Sequence, residues 1–106
     1  MDQKMKMHKE LCDRLHTLYS QKNHDYGDSF HQTFLEEGFA MTRIRLSDKL
    51  NRFKNLTKNP VVSVDNNGLI SSESLKDTLM DLANYALMTI LEMESYLYNL
   101  KENDHE

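Results

Sequence analysis

Apolar residues recur at helical spacing along most of the chain, with charged residues between them. Met7, Leu11, Leu15 and Leu18 are separated by Lys, Glu, Asp and Arg, which predicts an amphipathic helix from about Gln3 to Gln21. The next stretch, Lys22 to Phe30, reads KNHDYGDSF and has the Asn, Asp, Gly and Ser content of a loop. Ser29 followed by Gln32 is a capping-box pattern that opens a second helical run, which Gly38 breaks or bends early. From Phe39 to about Leu56 the spacing resumes in Ile44, Leu46, Leu50 and Phe53. Residues 57–71 read as a connection. Pro60 ends the helix before it, and Asp65-Asn66-Asn67-Gly68 is a turn. Val61, Val62 and Val64 before that turn and Leu69-Ile70 after it have the pattern of a tiny hairpin. Ser72 is a suitable N-cap for a last helix that runs to about Leu100, where the charged tail is expected to fray. Leu75, Leu79, Leu82, Ala83, Ala86, Leu87 and Ile90 give that helix a wide apolar face.

The predicted fold is all-α: a single domain over residues 1–106, built as a bundle of three main helices and completed by a second copy of the chain. With 106 residues, three glycines and one proline, composition agrees with one helical domain. The formal net charge of −4 argues against general nucleic-acid binding but leaves room for a small anion, because local arrangement outweighs net charge. No apolar run approaches the roughly 18 residues needed to span a bilayer, so no membrane association is expected. The basic N-terminus has no apolar stretch behind it, unlike a secretory signal. Cys12 is alone, which excludes an internal disulfide framework and a multi-cysteine zinc site. A cytoplasmic location fits these features.

Candidate chemistry concentrates at three places. At about 100° per residue, Glu73, Asp77 and Asp81 fall within an arc of about 80° on the last helix, and Asn84 joins them. Like charges four residues apart repel by roughly 0.2–0.5 kcal/mol per pair, more where apolar neighbours such as Met80, Leu87 and Met88 desolvate them. A magnesium ion bridging carboxylates and substrate phosphates would compensate. The macrodipole accounts equally well for Glu73, and a solvated acidic face accounts for the remainder. On the middle helix Arg45, Asp48 and Arg52 share a face, with Lys49 one step around. Asp48 can join the acidic stripe at a metal, while Arg45, Lys49 and Arg52 can hold phosphate oxygens. The other reading of these residues is a set of ion pairs between Arg45 or Arg52 and Asp77 or Asp81. The predicted loop gathers Lys22, His24, Asp25 and Tyr26. It is either a binding loop, with Tyr26 stacking on a base, or a tight turn that needs Asp and Gly.

These segments, KNHDYGDSF, RLSDKLNRFKNL and ESLKDTLMDLANYALMTI, resemble a family of small phage- and mobile-element-associated proteins called the nucleotide-modification-associated domain. The resemblance spans about His8 to Glu94. The last motif is also similar, more distantly, to the MazG-like all-α nucleoside triphosphate pyrophosphatases. Those are dimeric or tetrameric bundles that hold magnesium between acidic pairs on two helices. Asp77-Thr78-Leu79 matches the final Asp of that pattern and the start of the apolar run after it. Glu73 stands four residues before Asp77, where that family has a Glu three before, and Ser74 occupies the latter place. Asp48 and Arg52 replace its two-Glu pair on the middle helix. These departures bear on hydrolysis more than on nucleotide binding.

The resemblance implies a magnesium-dependent nucleoside triphosphate pyrophosphohydrolase acting on a (deoxy)nucleotide. Asp48, Glu73 and Asp77 would hold the metal, and Asp81 would orient or deprotonate water. Arg45, Lys49 and Arg52 would stabilise phosphoryl oxygens, with Lys22, His24, Asp25, Tyr26 and Asn84 contacting the remaining substrate. Two alternatives stay open: a protein that sequesters a nucleotide or cyclic nucleotide without turnover, and a purely structural or interaction bundle. The last of these predicts that Asp48, Asp77 and Asp81 are each consumed by ion pairs.

Overall fold

The computed structural model describes residues 2–26, 28–58 and 69–104; for residues 25, 26, 69–72 and 96–104 it describes the backbone alone. Those residues form four α-helices and no strand: α1 (Asp2–Tyr26), α2 (Ser29–Glu37), α3 (Phe39–Thr57) and α4 (Leu69–Asp104). The all-α expectation holds. The hairpin read in residues 57–71 falls mostly outside the described residues, except that Leu69 and Ile70 are helical.

Four boundaries differ from the sequence reading. α1 continues five residues past Gln21, through the first half of the predicted loop. Asn, His and Asp each cost only a few tenths of a kcal/mol in a helix, and no Gly or Pro occurs before Gly27. His24 in the last turn also suits the negative end of the helix dipole. At α2, Asp28 rather than Ser29 holds the N-cap position, and its carbonyl accepts the Gln32 amide at 3.2 Å. α4 begins at Leu69, so Ser72 lies in its first turn rather than capping it, and it extends four residues past Leu100.

Gly38 separates α2 from α3 as expected, and its geometry explains why. Its φ of 65° with ψ of −147° lies in a region essentially restricted to glycine. From there its amide donates to the Phe34 carbonyl at 2.7 Å, and its carbonyl accepts the Met41 amide at 3.3 Å. Phe34 and Phe39 meet edge to face across the break, with ring centroids 5.4 Å apart.

α3 and α4 form the main interface and run antiparallel: Thr42 meets Thr89, Arg45 meets Tyr85, Lys49 meets Asp81 and Arg52 meets Thr78. The seam is lined by small hydroxyl residues more than by large apolar ones. Met41 is the buried hydrophobic residue among those described, alongside buried Thr42, Thr78 and Thr89. The hydroxyls are satisfied within the seam. Thr78 Oγ1 donates to the Ser74 carbonyl and Thr89 Oγ1 to the Tyr85 carbonyl, both at 2.8 Å, and the Thr42 and Thr89 hydroxyls lie 3.2 Å apart. α2 packs against α3 and α4, and α1 lies antiparallel along another side of α4. There Asn84 Nδ2 donates to the Leu15 carbonyl at 3.2 Å. No described helix is long and apolar enough to cross a membrane.

Candidate functional site

The antiparallel pairings bring one level of each helix to the same place. Tyr19, Lys22 and Asn23 from α1 face Asp81, Asn84, Tyr85 and Met88 from α4. Ser29 and Phe30 at the start of α2, and Arg45 of α3, close the remaining sides. Together they line an open cavity of about 330 Å³. That volume is at the lower end of the range for small-molecule sites.

Asp81 organises the charge. Lys22 Nζ donates to Asp81 Oδ1, and Lys49 Nζ donates to Asp81 Oδ2, each at 2.9 Å. One carboxylate therefore ties α1 and α3 to α4. Its side chain is 24 % exposed. Burial pushes the Asp81 carboxyl pKa up, but the two lysine hydrogen bonds and their charges outweigh it and hold the carboxyl below its ordinary value. Lys22 and Arg45 line the cavity with Asp81, while Lys49 pairs with Asp81 from α3 without lining the cavity; the three cations and one carboxylate together carry two net positive charges. The aromatic side is also ordered. Phe30 and Tyr85 stack with ring centroids 6.1 Å apart and an interplanar angle of 18°, and the Arg45 guanidinium lies 6.0 Å from the Tyr85 ring centre.

Among the residues proposed from sequence, Lys22, Arg45, Lys49, Asp81 and Asn84 are thus brought together. Arg52 sits further along the same seam, where its Nε donates to Thr78 Oγ1 at 3.2 Å. His24 is exposed on α1 and does not line the cavity. The side chains of Asp25 and Tyr26 lie outside the described residues. Asp48, Glu73 and Asp77 are exposed, and none of them forms an ion pair among the described residues. The Arg–Asp pairs considered between α3 and α4 are absent there as well; lysines, one of them from α1, take the part assigned to arginine.

The described acidic residues do not assemble into a metal cage. Among the described residues, no three His, Cys, Asp or Glu side chains are grouped so as to hold a metal ion. Asp81, the one partly buried carboxylate of the stripe, already directs both oxygens at lysine ammonium groups. The donor set therefore does not fit a preformed magnesium site.

Six cavity residues are not among those proposed from sequence: Tyr19, Asn23, Ser29, Phe30, Tyr85 and Met88. Tyr19 is one helical turn before Lys22, and Tyr85 is one turn after Asp81. Both signals were available once the helix was allowed to run through Lys22. Away from the cavity, His31 of α2 and Glu92 of α4 form a short contact, Nδ1 to Oε2, at 2.6 Å. The hydrogen bond to Glu92 raises the His31 pKa, partial desolvation opposes it, and the charges of Glu92 and Asp28 add to the rise.

Residues 22–93 match a family model described as nucleotide modification associated domain 1. No curated protein and no solved structure matches the chain.

Proposed function

The chain belongs to the nucleotide modification associated domain 1 family, and from that premise we propose that it binds a (deoxy)nucleotide in the cavity between its four helices without hydrolysing it. The observation that carries this reading is the pair of lysines, Lys22 and Lys49, on Asp81, with Arg45 and the rings of Tyr19, Phe30 and Tyr85 lining the same cavity as Lys22 and Asp81. Two excess positive charges match the charge of a terminal phosphate. Arginine's planar fork suits two phosphate oxygens at once, and the lysines act as point charges. The aromatic side chains supply faces for a base, and Asn84 supplies amide groups for its edge.

Turnover would require the magnesium set that the resemblance implies. Asp48, Glu73 and Asp77 would have to converge, and in one chain they do not form such a group. The deciding experiment is calorimetric titration with nucleoside mono-, di- and triphosphates and with inorganic phosphate, with and without magnesium, then product analysis. Metal-independent binding that weakens at least tenfold in Arg45→Ala, with the nucleotide recovered intact, supports the proposal. Magnesium-dependent release of pyrophosphate would overturn it in favour of a pyrophosphohydrolase. Absence of binding to every nucleotide would leave an interaction bundle.

A further inference from the structure

α2 is a lightly held wall of the candidate cavity. It is nine residues long, and none of its side chains is buried. Its first turn supplies Ser29 and Phe30 to the cavity. Gly38, with φ at 65°, sets it off from α3. A helix this short does not hold itself in water, so its position depends on a few tertiary contacts.

Two of those contacts reach α4 from consecutive residues. Phe30 stacks on Tyr85 with ring centroids 6.1 Å apart, and His31 meets Glu92 at 2.6 Å. Tyr85 and Glu92 are seven residues apart, nearly two turns and about 10 Å along one face of α4. The pair of contacts therefore pins α2 at two points and fixes the angle at which Phe30 enters the cavity. The second contact is ionic. The Glu92 side chain is 14 % exposed, and a carboxylate so placed gains from a cationic partner. Among the described residues that partner is His31. The charges that act on His31 are both acidic, Glu92 from α4 and Asp28 from the N-cap of its own helix, and among the described residues α3 contributes none.

We infer that the His31–Glu92 pair is a proton-dependent latch: while His31 carries its proton the pair docks α2 on α4 and so positions Phe30 in the cavity wall, and it loosens when that proton leaves. Neither residue lines the cavity; both act through Phe30. Imidazole is the side chain whose charge ordinarily changes near neutral pH. The hydrogen bond to Glu92 raises the His31 pKa, desolvation opposes it, and the charges of Glu92 and Asp28 add to the rise. The latch is therefore fully present below about pH 6.5, the ordinary value for histidine, and fades as the pH rises through the raised folded value. Linkage makes the effect reciprocal: a ligand that needs α2 docked also helps His31 keep its proton.

Proton NMR of the full, ligand-free chain between about pH 5.5 and 8.5 tests the latch. The Tyr85 ring signals, identified by their loss in Tyr85→Phe, report the ring current of Phe30, and Phe30→Leu gives their undocked positions. The expected result is movement toward those positions as pH rises, with the same midpoint as the His31 ring signals. In His31→Lys, which keeps its charge throughout this range, the Tyr85 signals should stay docked. In Glu92→Gln they should lie nearer the undocked positions at every pH. Signals that do not move with pH in the wild type, or that move alike in His31→Lys, would overturn the inference. The consequence for ligand rests on the nucleotide reading above and is measured separately, by calorimetric titration with deoxyadenosine monophosphate. From about pH 6 to 8.5 the wild type should weaken about twofold to fivefold relative to His31→Lys, the range of a partly exposed ion pair. Taking that ratio cancels the ionisation of the phosphate itself, whose second pKa is about 6. A constant ratio with the nucleotide bound would overturn the inference and leave the nucleotide reading intact. No binding to either protein, with the Tyr85 signals titrating as expected, would remove that reading and leave the latch standing.

Discussion

Replacing Asp81 with Asn separates a carboxylate that clamps lysines from one that serves a metal, because the two roles predict opposite effects on ligand affinity. In the folded chain Asp81 accepts one hydrogen bond from Lys22 and one from Lys49, each at 2.9 Å. A hydrogen bond to a charged partner contributes about 1.5–3 kcal/mol when well protected. The Lys22 side chain is 59 % exposed, so its bond belongs with surface pairs worth about 0.2–1 kcal/mol. The Lys49 bond is better shielded, since both side chains are about one-quarter exposed. Asparagine keeps one acceptor oxygen but loses the charge. The net loss is about 1–2 kcal/mol, which in a domain of this size lowers Tm by about 4–9 °C. The wild-type contribution is also pH-dependent. The Asp81 carboxyl titrates below its unfolded value, so its stabilisation is complete above about pH 4 and disappears as the pH falls through the depressed folded value. Ligand binding moves the other way. Removing the carboxylate raises the local charge from two to three positive and releases the Lys49 ammonium group from its carboxylate partner. Affinity for an anionic nucleotide should rise about threefold to tenfold, close to 1 kcal/mol. Differential scanning calorimetry and titration of the same preparation read both effects. A variant that is less stable and binds more weakly by a factor of ten or more would refute the clamp and restore Asp81 to the metal or its water.

Arg45→Ala and Lys49→Ala should each weaken nucleotide binding at least tenfold while leaving Tm within a few degrees for Arg45→Ala, whose exposed side chain lies over the Tyr85 ring; titration calorimetry beside thermal melts checks both. Gly38→Ala should cost about 1–3 kcal/mol in chemical denaturation. The added Cβ would meet nothing within 4 Å, so the penalty is purely the backbone conformation, and a neutral result would mean that the α2–α3 junction relaxes. The His31–Glu92 contact predicts a falling Tm as pH rises from about 6.5 through the raised folded pKa of His31, because the protonated form is the one stabilised in the fold. His31→Gln should flatten that slope, and an unchanged slope would assign it elsewhere. Thr42→Val alone should cost about 1 kcal/mol, whereas Thr42→Val with Thr89→Val should cost less than the two single changes together; strict additivity in urea melts would show that the two hydroxyls do not bond.

Much of the helical framework could be read from apolar spacing, because amphipathic helices advertise their period directly. The break at Gly38 was equally readable, since no other residue type occupies that backbone region at low cost. The end of α1 is much less legible, because the helix runs through Lys22 to Tyr26. Loop-forming residue types and mild helix propensities overlap, and a helix already under way tolerates Asn, His and Asp. Ending α1 at Gln21 detached Lys22 from Tyr19 and hid the face they share. The acidic stripe shows a subtler limit. Residues four apart advance about 400°, so each step drifts about 40° around the helix. Asp81 faces the cleft where α1 and α3 both reach it, and by Asp77 and Glu73 the same stripe has turned out to solvent. Spacing therefore identified a real alignment of like charges but not its consequence. The repulsion that called for a cation is answered differently at the two ends: by two lysines where the stripe is buried, and by water where it is not. Which helices flank each turn decides this, and that is a tertiary fact no single helix encodes.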